Sequence, residues 1–421
     1  MSANRVIIIG GGISGLSSAR YLASAGWQVT VLEKGDFTDG CSFGNAGFVC
    51  PSHYVQLATP GIARQGLKWM LKSTSPFYIQ PRLDPHLIRW GLNFLKRARQ
   101  HYVDINGPAL RDIGLLSQQE YEKNWTKEFE FDYQHNGMLE VFQTGAALRE
   151  CTHIAKMGQD LGLDIEVVDK AGLEALEPDV RWNAMGAVHY KCDGHLNPSK
   201  LMHGLYNQLK ASGVQLLPHS EVTGFKKEGK LISEVHAGEQ IYKADSVVLA
   251  AGSWSEKLAR QLHLTLPVVG GRGYSFTVPL NVGSGQKMHR PGLLVEGRAA
   301  FTPLGDQIRF GGTMEIRKLD APLALKRVKG IISAVEQFFP DFKLNFDKIR
   351  PGIWSGFRPV SIDGMPYIGK TDKLENLVIA AGHAQLGISL GPATGLLVSE
   401  LVRGVDTTIN ISTFGVNRFK N

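Results

Sequence analysis

The sequence predicts an α/β protein with a second, α+β domain. Three observations predict it. A strand-helix-strand unit opens the chain between Arg5 and Glu33, with a glycine-rich turn after its first strand. Two later strands, in Asp245–Trp254 (DSVVLAAGSW) and Leu377–Ser389 (LVIAAGHAQLGIS), also run into Ala-Gly turns. Segments of alternating polarity, the mark of half-buried strands, occupy stretches between them. The 421 residues allow two or three domains of ordinary size. With 43% hydrophobic and 20% charged residues, the composition leaves no room for a disordered, collagenous or coiled-coil reading.

The opening unit is the most informative element. Val6 to Ile9 is a continuous apolar run, as a strand buried on both faces requires. Gly10, Gly12 and Gly15 then complete a G-x-G-x-x-G pattern. A helical pattern from about Ile13 to Ala25 stops at Gly26, and a second apolar strand, Val29 to Leu32, ends in Glu33. Gly10 permits the tight turn. Gly12 lets a pyrophosphate approach the backbone at the positive end of the helix. Gly15 lets helix and strand pack closely. Ile13 and Ser14 begin that helix, Glu33 can accept a ribose hydroxyl, and Lys34 follows it. Strand, glycines, helix, strand and acid in this order mark a Rossmann-like dinucleotide site.

The fingerprint alone does not separate FAD from NAD, but the continuation does. Residues 41–51 (CSFGNAGFVCP) are small, glycine-rich and bear hydroxyl and amide groups where an extended cofactor continues. Ser42, Asn45, Ala46 and Gly47 are therefore cofactor candidates. So are Ala251, Gly252 and Trp254 in the second turn. The third turn adds Gly382, His383, Leu386, Gly387, Ile388 and Ser389, ahead of the helical pattern GPATGLLVSELV. No second G-x-G-x-x-G occurs, so a nicotinamide with its own domain is not expected.

Together these segments resemble the flavin-dependent amino acid oxidoreductases that include D-amino acid oxidase, glycine oxidase and sarcosine oxidase. Within that family the chain is most similar to the bacterial D-amino acid dehydrogenases. The resemblance spans essentially the whole chain and is carried by GGGISG, CSFGNAG, GLKWMLKSTSPF, GRGYSFTVP, RFGGTMEI, WSGFRPVSIDGMPYIG and AAGHAQLGISLGPATG. It implies an FAD domain of the glutathione-reductase type, built discontinuously, and a substrate domain with a mixed or antiparallel sheet. The FAD domain is expected from 1–80, 145–178, 196–263 and 350–421. The substrate domain is expected from 81–144, 179–195 and 264–349. Strand patterns fall at Gln215–Phe225, Leu231–Tyr242, Ala300–Thr313 and Lys348–Phe357. Helical patterns fall at Asp84–Tyr102, Pro108–Phe129, Asn197–Ser212 and Lys326–Phe339.

The reaction implied is oxidation of an amino acid at Cα, with a hydride passing to flavin and the imino acid hydrolysing to a 2-oxo acid and ammonia. Such a site needs a cation for the carboxylate, and a guanidinium binds one bidentately. Arg358 matches the family segment that supplies it; the competing reading is an ion pair or a turn-structuring role. Arg272 is a second candidate, competing with a surface charge at a strand edge. Tyr274 is a candidate substrate-side hydroxyl, competing with a core role. His53 and Tyr54 follow the flavin loop and are candidates for the substrate entrance. His383 adjoins the last turn, near cofactor or substrate; its competing role is to hydrogen-bond the backbone. Backbone N–H groups of Leu386 to Ser389 are expected near the flavin O2 position, and the backbone of Val222 near the adenine.

Other signals carry less. His189-x-x-Cys192-x-x-His195 has metal-like spacing, but no fourth ligand is evident and no metal is expected. Gly387-Ile-Ser-Leu-Gly391 matches a hydrolase nucleophile elbow, but no histidine follows His383 to serve that serine. No Cys follows Cys192, so a covalent flavin link later in the chain is excluded and the FAD is expected to be non-covalent. Four cysteines without C-x-x-C spacing suit a reducing, cytoplasmic setting.

The formal charge of +7 is local. Between Gly61 and Val103, eight basic residues (Arg64, Lys68, Lys72, Arg82, Arg89, Lys96, Arg97 and Arg99) face one acid, Asp84, and the rest of the chain is neutral. A nucleic-acid binder, such as a tRNA-modifying flavoprotein, spreads its basic residues over a broad face, so that class is set aside. Apolar residues beside these bases, at Ile62–Leu71 and Leu87–Leu95, give a basic amphipathic stretch. Either it is an ordinary helix with a solvated face, or segment 61–103 is a peripheral contact with the inner face of the cell membrane, where a quinone could take the electrons. A dehydrogenase of cyclic imino acids such as hydroxy-D-proline and an oxygen-using amino acid oxidase are the alternatives within the family.

Overall fold

A computed structural model describes residues 4–61, 66, 75–280 and 287–419. The amphipathic reading of Ile62–Leu71 and most of the GLKWMLKSTSPF motif lie outside the described residues.

The opening unit folds as its pattern requires. Strand β1 (Arg5–Ile9) leads into helix α1 (Ile13–Ser24) and returns as β2 (Gln28–Leu32). A six-stranded sheet grows around it in the order β19 (Tyr367–Lys370), β20 (Leu377–Ala381), β13 (Ser246–Leu249), β1, β2, β9 (Gln215–Leu217). All pairings in it are parallel except β19 with β20. Buried Val, Ile and Leu fill its two faces, and the carboxyl ends of β1, β13 and β20 carry the three glycine turns seen in the sequence. A three-stranded antiparallel sheet, β10 (Val222–Glu228), β11 (Leu231–Ala237) and β12 (Gln240–Tyr242), forms separately.

The last helix, α10 (Gly387–Arg403), packs on α1. Small residues make that contact possible. A Cβ at Gly395 would lie 2.5 Å from the Ser17 backbone, and one at Gly391 would lie 2.5 Å from the Ile13 side chain. The G-x-S-x-G pattern is thus a helix-packing feature. Its serine, Ser389, is buried and its Oγ accepts the Cys50 N–H at 2.9 Å.

The second sheet has nine strands. Its path is β18 (Trp354–Ser361), β14 (Val268–Pro279), β17 (Gln307–Ile316), β16 (Ala299–Leu304), β15 (Gly292–Leu294), β5 (Met138–Phe142), β7 (Gly186–Tyr190), β6 (Ile165–Asp169). Strand β4 (Phe77–Ile79) joins β17 off this path. The sheet is mixed, with β15·β5 and β17·β4 parallel and the rest antiparallel. Helix α8 (Leu325–Phe338) helps cover a core rich in Phe, including Phe301, Phe310 and Phe339. A two-stranded pair, β3 (Phe48–Val49) with β8 (Gly194–His195), ties the flavin loop to the second half of the chain.

Several expectations change. Strands β4, β6 and β18 fall in segments expected for the FAD domain, yet they hydrogen-bond into the large sheet. Their partners lie too far away in sequence for local patterning to reveal. The alternation at Lys348–Phe357 is only half strand: Asn345 caps a helical turn, Phe346–Ile349, by accepting from Asp347 and Lys348, and β18 begins at Trp354. Helix α2 (Pro85–Arg97), N-capped by Asp84, stops before Arg99, whose backbone is extended. Helix α3 (Gln100–Lys123) carries Pro108 in its interior instead of starting there. The Gln215–Phe225 alternation breaks into β9 and β10 around His219, which has φ of 52°.

Candidate active site

A cavity of about 970 Å³ lies between the two large sheets, at the upper end of the usual range for ligand pockets, roughly 300–1,000 Å³. One arm is the nucleotide cradle, lined by Gly10, Gly12, Ile13, Ser14, Glu33, Lys34, Val222, Ala251, Gly252 and Trp254. Gly10 has φ of +110°, and a Cβ there would lie 2.5 Å from the Ala250 carbonyl oxygen. The carboxylate of Glu33 accepts the N–H of Gly11 at 2.6 Å and of Gly35 at 2.8 Å, so it is held at the rim of the turn. Lys34 Nζ sits 3.2 Å from the centroid of the Trp254 ring, a cation–π contact. Gly15 lies beneath the turn, off the cavity, where a side chain would collide with the Gly10 carbonyl.

The loop 41–47, expected beside the flavin, is clamped from two sides. Ser42 Oγ accepts the Ile13 N–H at 3.1 Å, tying the loop to the start of α1. Asn45 Oδ1 accepts the Gly47 N–H at 2.8 Å, and its Nδ2 donates to the Gln385 carbonyl at 3.4 Å. From the large sheet, Ser275 Oγ donates to the Gly44 carbonyl at 3.0 Å and Thr302 Oγ1 to the Ala46 carbonyl at 2.6 Å. Arg309 Nη1 donates to the carbonyls of Phe43, at 2.9 Å, and Asn45, at 2.8 Å. Burial lowers the Arg309 pKa to about 10, which leaves it cationic at neutral pH. Arg309, Thr302 and Ser275 escape a reading of the sequence, since nothing in their own segments points to the carbonyls of residues 43–46. Gly47 does not line the cavity; it packs on the Leu196 carbonyl and Pro198.

The third turn closes the cavity. Helix α10 has no side-chain cap, and Leu386, Gly387, Ile388 and Ser389 line the wall; the Leu386 N–H donates to the His383 carbonyl at 2.8 Å, which leaves the first-turn N–H groups of Gly387, Ile388 and Ser389 for an anionic ligand atom. Gly382, with φ of 80°, shapes the turn from behind against Tyr367. His383 lines the cavity and its Nε2 is 3.0 Å from Thr394 Oγ1. Burial lowers its pKa to about 4, so it is neutral.

Arg358 projects from β18 into the wall of the cavity. Its guanidinium donates to the Thr313 carbonyl and has no carboxylate partner among the described residues. Desolvation lowers its pKa, and the nearby Cys41 raises it. The bare backbone of Gly273 on β14 leaves the space this guanidinium occupies.

The other candidates divide. Tyr274 reaches the cavity wall, but its hydroxyl donates to Glu315 Oε2 at 2.8 Å and accepts the Ala324 N–H at 3.0 Å. Arg272 does not line the cavity: its Nη1 donates to the Pro322 carbonyl at 3.0 Å and its guanidinium stacks over Phe357. Tyr54 is likewise away from it, buried with its hydroxyl on the Ile154 carbonyl. His53 does line it, held neutral by burial with a pKa of about 4, and its Nδ1 has no hydrogen-bond partner among the described residues.

Donor atoms of Cys50, His53 and Asp193 lie within 4.8 Å of one another, the one metal-like group among the described residues. Asp193 is already bonded to the N–H of Ser52, at 3.1 Å, and to its hydroxyl, at 2.5 Å. His189, Cys192 and His195 do not converge in this way.

The FAD dependent oxidoreductase family model matches residues 5–401. The D-amino acid dehydrogenases of Paramagnetospirillum magneticum and Granulibacter bethesdensis are 30% and 29% identical, each over 99% of this chain and 99% of their own length. Among solved structures, glycine oxidase from Geobacillus kaustophilus superposes with a TM-score of 0.75 at 21% identity, covering 100% of both chains. L-proline dehydrogenase from P. horikoshii gives 0.75 at 19% identity, over 99% of this chain and 98% of its own. The glycine cradle, which a Cβ would fill, and the Glu33 carboxylate beside it fit the FAD that such a family requires.

Proposed function

We propose that this chain, which belongs to the FAD dependent oxidoreductase family, is a dehydrogenase that oxidises D-amino acids at Cα to 2-oxo acids and ammonia. The observation that carries this reading is Arg358: a guanidinium on the wall of the cavity with a carbonyl for a partner and no carboxylate among the described residues. A guanidinium so placed suits the α-carboxylate of an amino acid, which it can grip bidentately and so fix the direction of Cα–H.

FAD, when bound, supplies the hydride acceptor. Gly10, Gly12 and Glu33 would hold its pyrophosphate and ribose, and the loop clamped by Arg309 would hold its far end. The first-turn N–H groups of α10 would favour negative charge as electrons arrive. His383 and His53 stay neutral, so neither repels the substrate's amino group. The amine gives up its proton to water before Cα–H leaves as hydride, and water hydrolyses the released imino acid to the 2-oxo acid and ammonia.

The electrons are proposed to pass to a membrane quinone. An apolar arm of the cavity supports this, lined by Trp90 and Phe94 of α2, Phe77 and Ile79 of β4, and Met314 and Ile316 of β17. Outside it, α2 exposes Ile88 and Leu92 (51% and 59%) beside exposed Arg89 and Lys96, a surface suited to an anionic bilayer. No helix among the described residues is long and apolar enough to cross a membrane, so the contact would be peripheral.

Anaerobic mixing with D- and L-amino acids and prolines tests the reaction. D-amino acids should bleach the flavin. Bleaching by cyclic imino acids alone would transfer the assignment to that class, and yellow flavin with every compound would end it. Reoxidation of the reduced enzyme by a soluble quinone should outpace reoxidation by oxygen; the reverse order would make it an oxidase. Vesicles with anionic lipid should retain the enzyme, and Ile88→Ser with Leu92→Ser should release it; retention of that variant would remove α2 from the contact.

A further inference from the structure

We propose that the end of the cavity remote from Arg358 receives a cationic side chain of the substrate, with Glu140 as its carboxylate. This rests on the amino acid dehydrogenase reading above.

Strand register places the two ends on one wall. Glu140 on β5 stands opposite Leu293 on β15, Leu293 opposite Ala300 on β16, and Ala300 opposite Gly311 on β17. All four line the cavity, so they form one row across the same face of the sheet. Beyond Leu293 the row is Ala and Gly, a shallow trough with no side chain to block it. The Arg358 guanidinium is bonded at Thr313, also on β17. Thr313 lies two residues along β17 from Gly311, so three strand spacings across and about 7 Å along separate the cation from Glu140, roughly 16 Å at the backbone. An α-carboxylate on the guanidinium puts Cα about 4 Å further in. A lysine-length side chain of five single bonds adds about 6 Å, and the glutamate side chain covers the remaining few ångströms.

The charge at that end is unbalanced. Glu140, Glu150 and Arg298 all line it. Arg298 Nη2 lies 3.8 Å from Glu150 Oε1 and its charge also acts on Glu140, so two carboxylates share one guanidinium at that end. Glu140 Oε2 accepts the Tyr190 hydroxyl at 2.8 Å, which fixes the carboxylate's orientation. Burial raises the Glu140 pKa, the Tyr190 hydrogen bond and the charge of Arg298 lower it, and Glu150 raises it again. A cation arriving there supplies the compensation that the protein leaves out. The cavity thus has a positive end and a negative end, spaced for an amino acid whose side chain ends in an ammonium group.

The test compares D-lysine with D-norleucine, the same chain length without the ammonium group, in anaerobic flavin reduction by the holoenzyme. The wild type should favour D-lysine, and Glu140→Gln should lower the D-lysine to D-norleucine ratio of kcat/KM about 10- to 100-fold. A ratio is insensitive to general damage from the substitution. A wild-type preference for D-norleucine, or a ratio unmoved by Glu140→Gln, overturns the inference while leaving the dehydrogenase reading intact. Failure of both amino acids, and of every other one, to reduce the flavin overturns the two together.

Discussion

Gly273→Ala isolates the substrate grip proposed for Arg358 from the rest of the fold. Gly273 is in β14, opposite Gly356 of β18, in an ordinary strand conformation that alanine accepts. The added methyl carbon would sit 2.5 Å from Cζ and Nη2 of Arg358. Ordinary contact between such atoms is about 3.5–4.0 Å, so the guanidinium must retreat by about 1 Å or more. Retreat is cheap for the fold, because the clash falls on the end of a flexible side chain. It is costly for the site, since a misplacement of about 1 Å can lower a rate by about 100-fold. In stopped-flow flavin reduction with limiting D-amino acid, the second-order rate should fall about 10- to 100-fold. FAD content should stay stoichiometric and the melting temperature within a few degrees. Wild-type reduction kinetics would refute the placement of Arg358 at the substrate carboxylate. Loss of FAD with reduction otherwise intact would refute it too, by assigning this region to the cofactor cradle.

Arg309→Met removes two hydrogen bonds from a cation to the flavin loop, each worth about 1.5–3 kcal/mol. FAD should dissociate at least about 10-fold more readily, measured by equilibrium dialysis, and unchanged retention would deny the clamp. Acid should also weaken the holoenzyme. The folded-state pKa values of His195 and His383 are about 4, against 6.5 for a free histidine. Between these values the unfolded chain binds protons that the folded chain excludes, so stability falls as pH drops from about 6.5 to 4, by up to ~3 kcal/mol per histidine. Asp193, raised to about 6 from 3.8, works the other way below pH 6 with a similar magnitude. His53, also held at about 4, adds a further ~3 kcal/mol, so the net loss from these four groups is about 6 kcal/mol. Denaturant midpoints at pH 7 and pH 4.5 check the sign, and a higher midpoint at pH 4.5 would contradict it.

The parts of the site legible in the sequence are those made by neighbours in the chain. Gly10, Gly12 and Gly15, the Glu33 that closes the unit, and the turn before α10 each announce themselves within one short segment. What was not legible depends on register between distant strands. Ser275, Thr302 and Arg309 act on carbonyls that lie 231, 256 and 264 positions earlier in the chain. Tyr274 looked like an available hydroxyl because Glu315 and the Ala324 N–H, which engage it, lie on other elements. Arg358 was visible as part of a motif, but the empty backbone of Gly273 that admits it was not. Helix limits failed for a related reason: Pro108 is tolerated inside α3, although proline is more usual at a helix start.

The packing of α10 on α1 bears on how this protein comes to exist at all. The first strand-helix-strand unit emerges early in synthesis, yet the glycines that receive α1 are nearly the whole chain away. Until they arrive, the buried face of α1 has no permanent cover, and β1 lacks β13 on one side. Contacts of such long range slow folding, because loop closure must precede any gain from them. The nascent chain therefore carries this apolar strand unpaired on one side until β13 has been made, a period in which chaperones have something to hold. The cradle for the cofactor becomes complete only when the two extremes of the fold meet, which makes FAD capture a late event and a natural seal on correctly finished molecules.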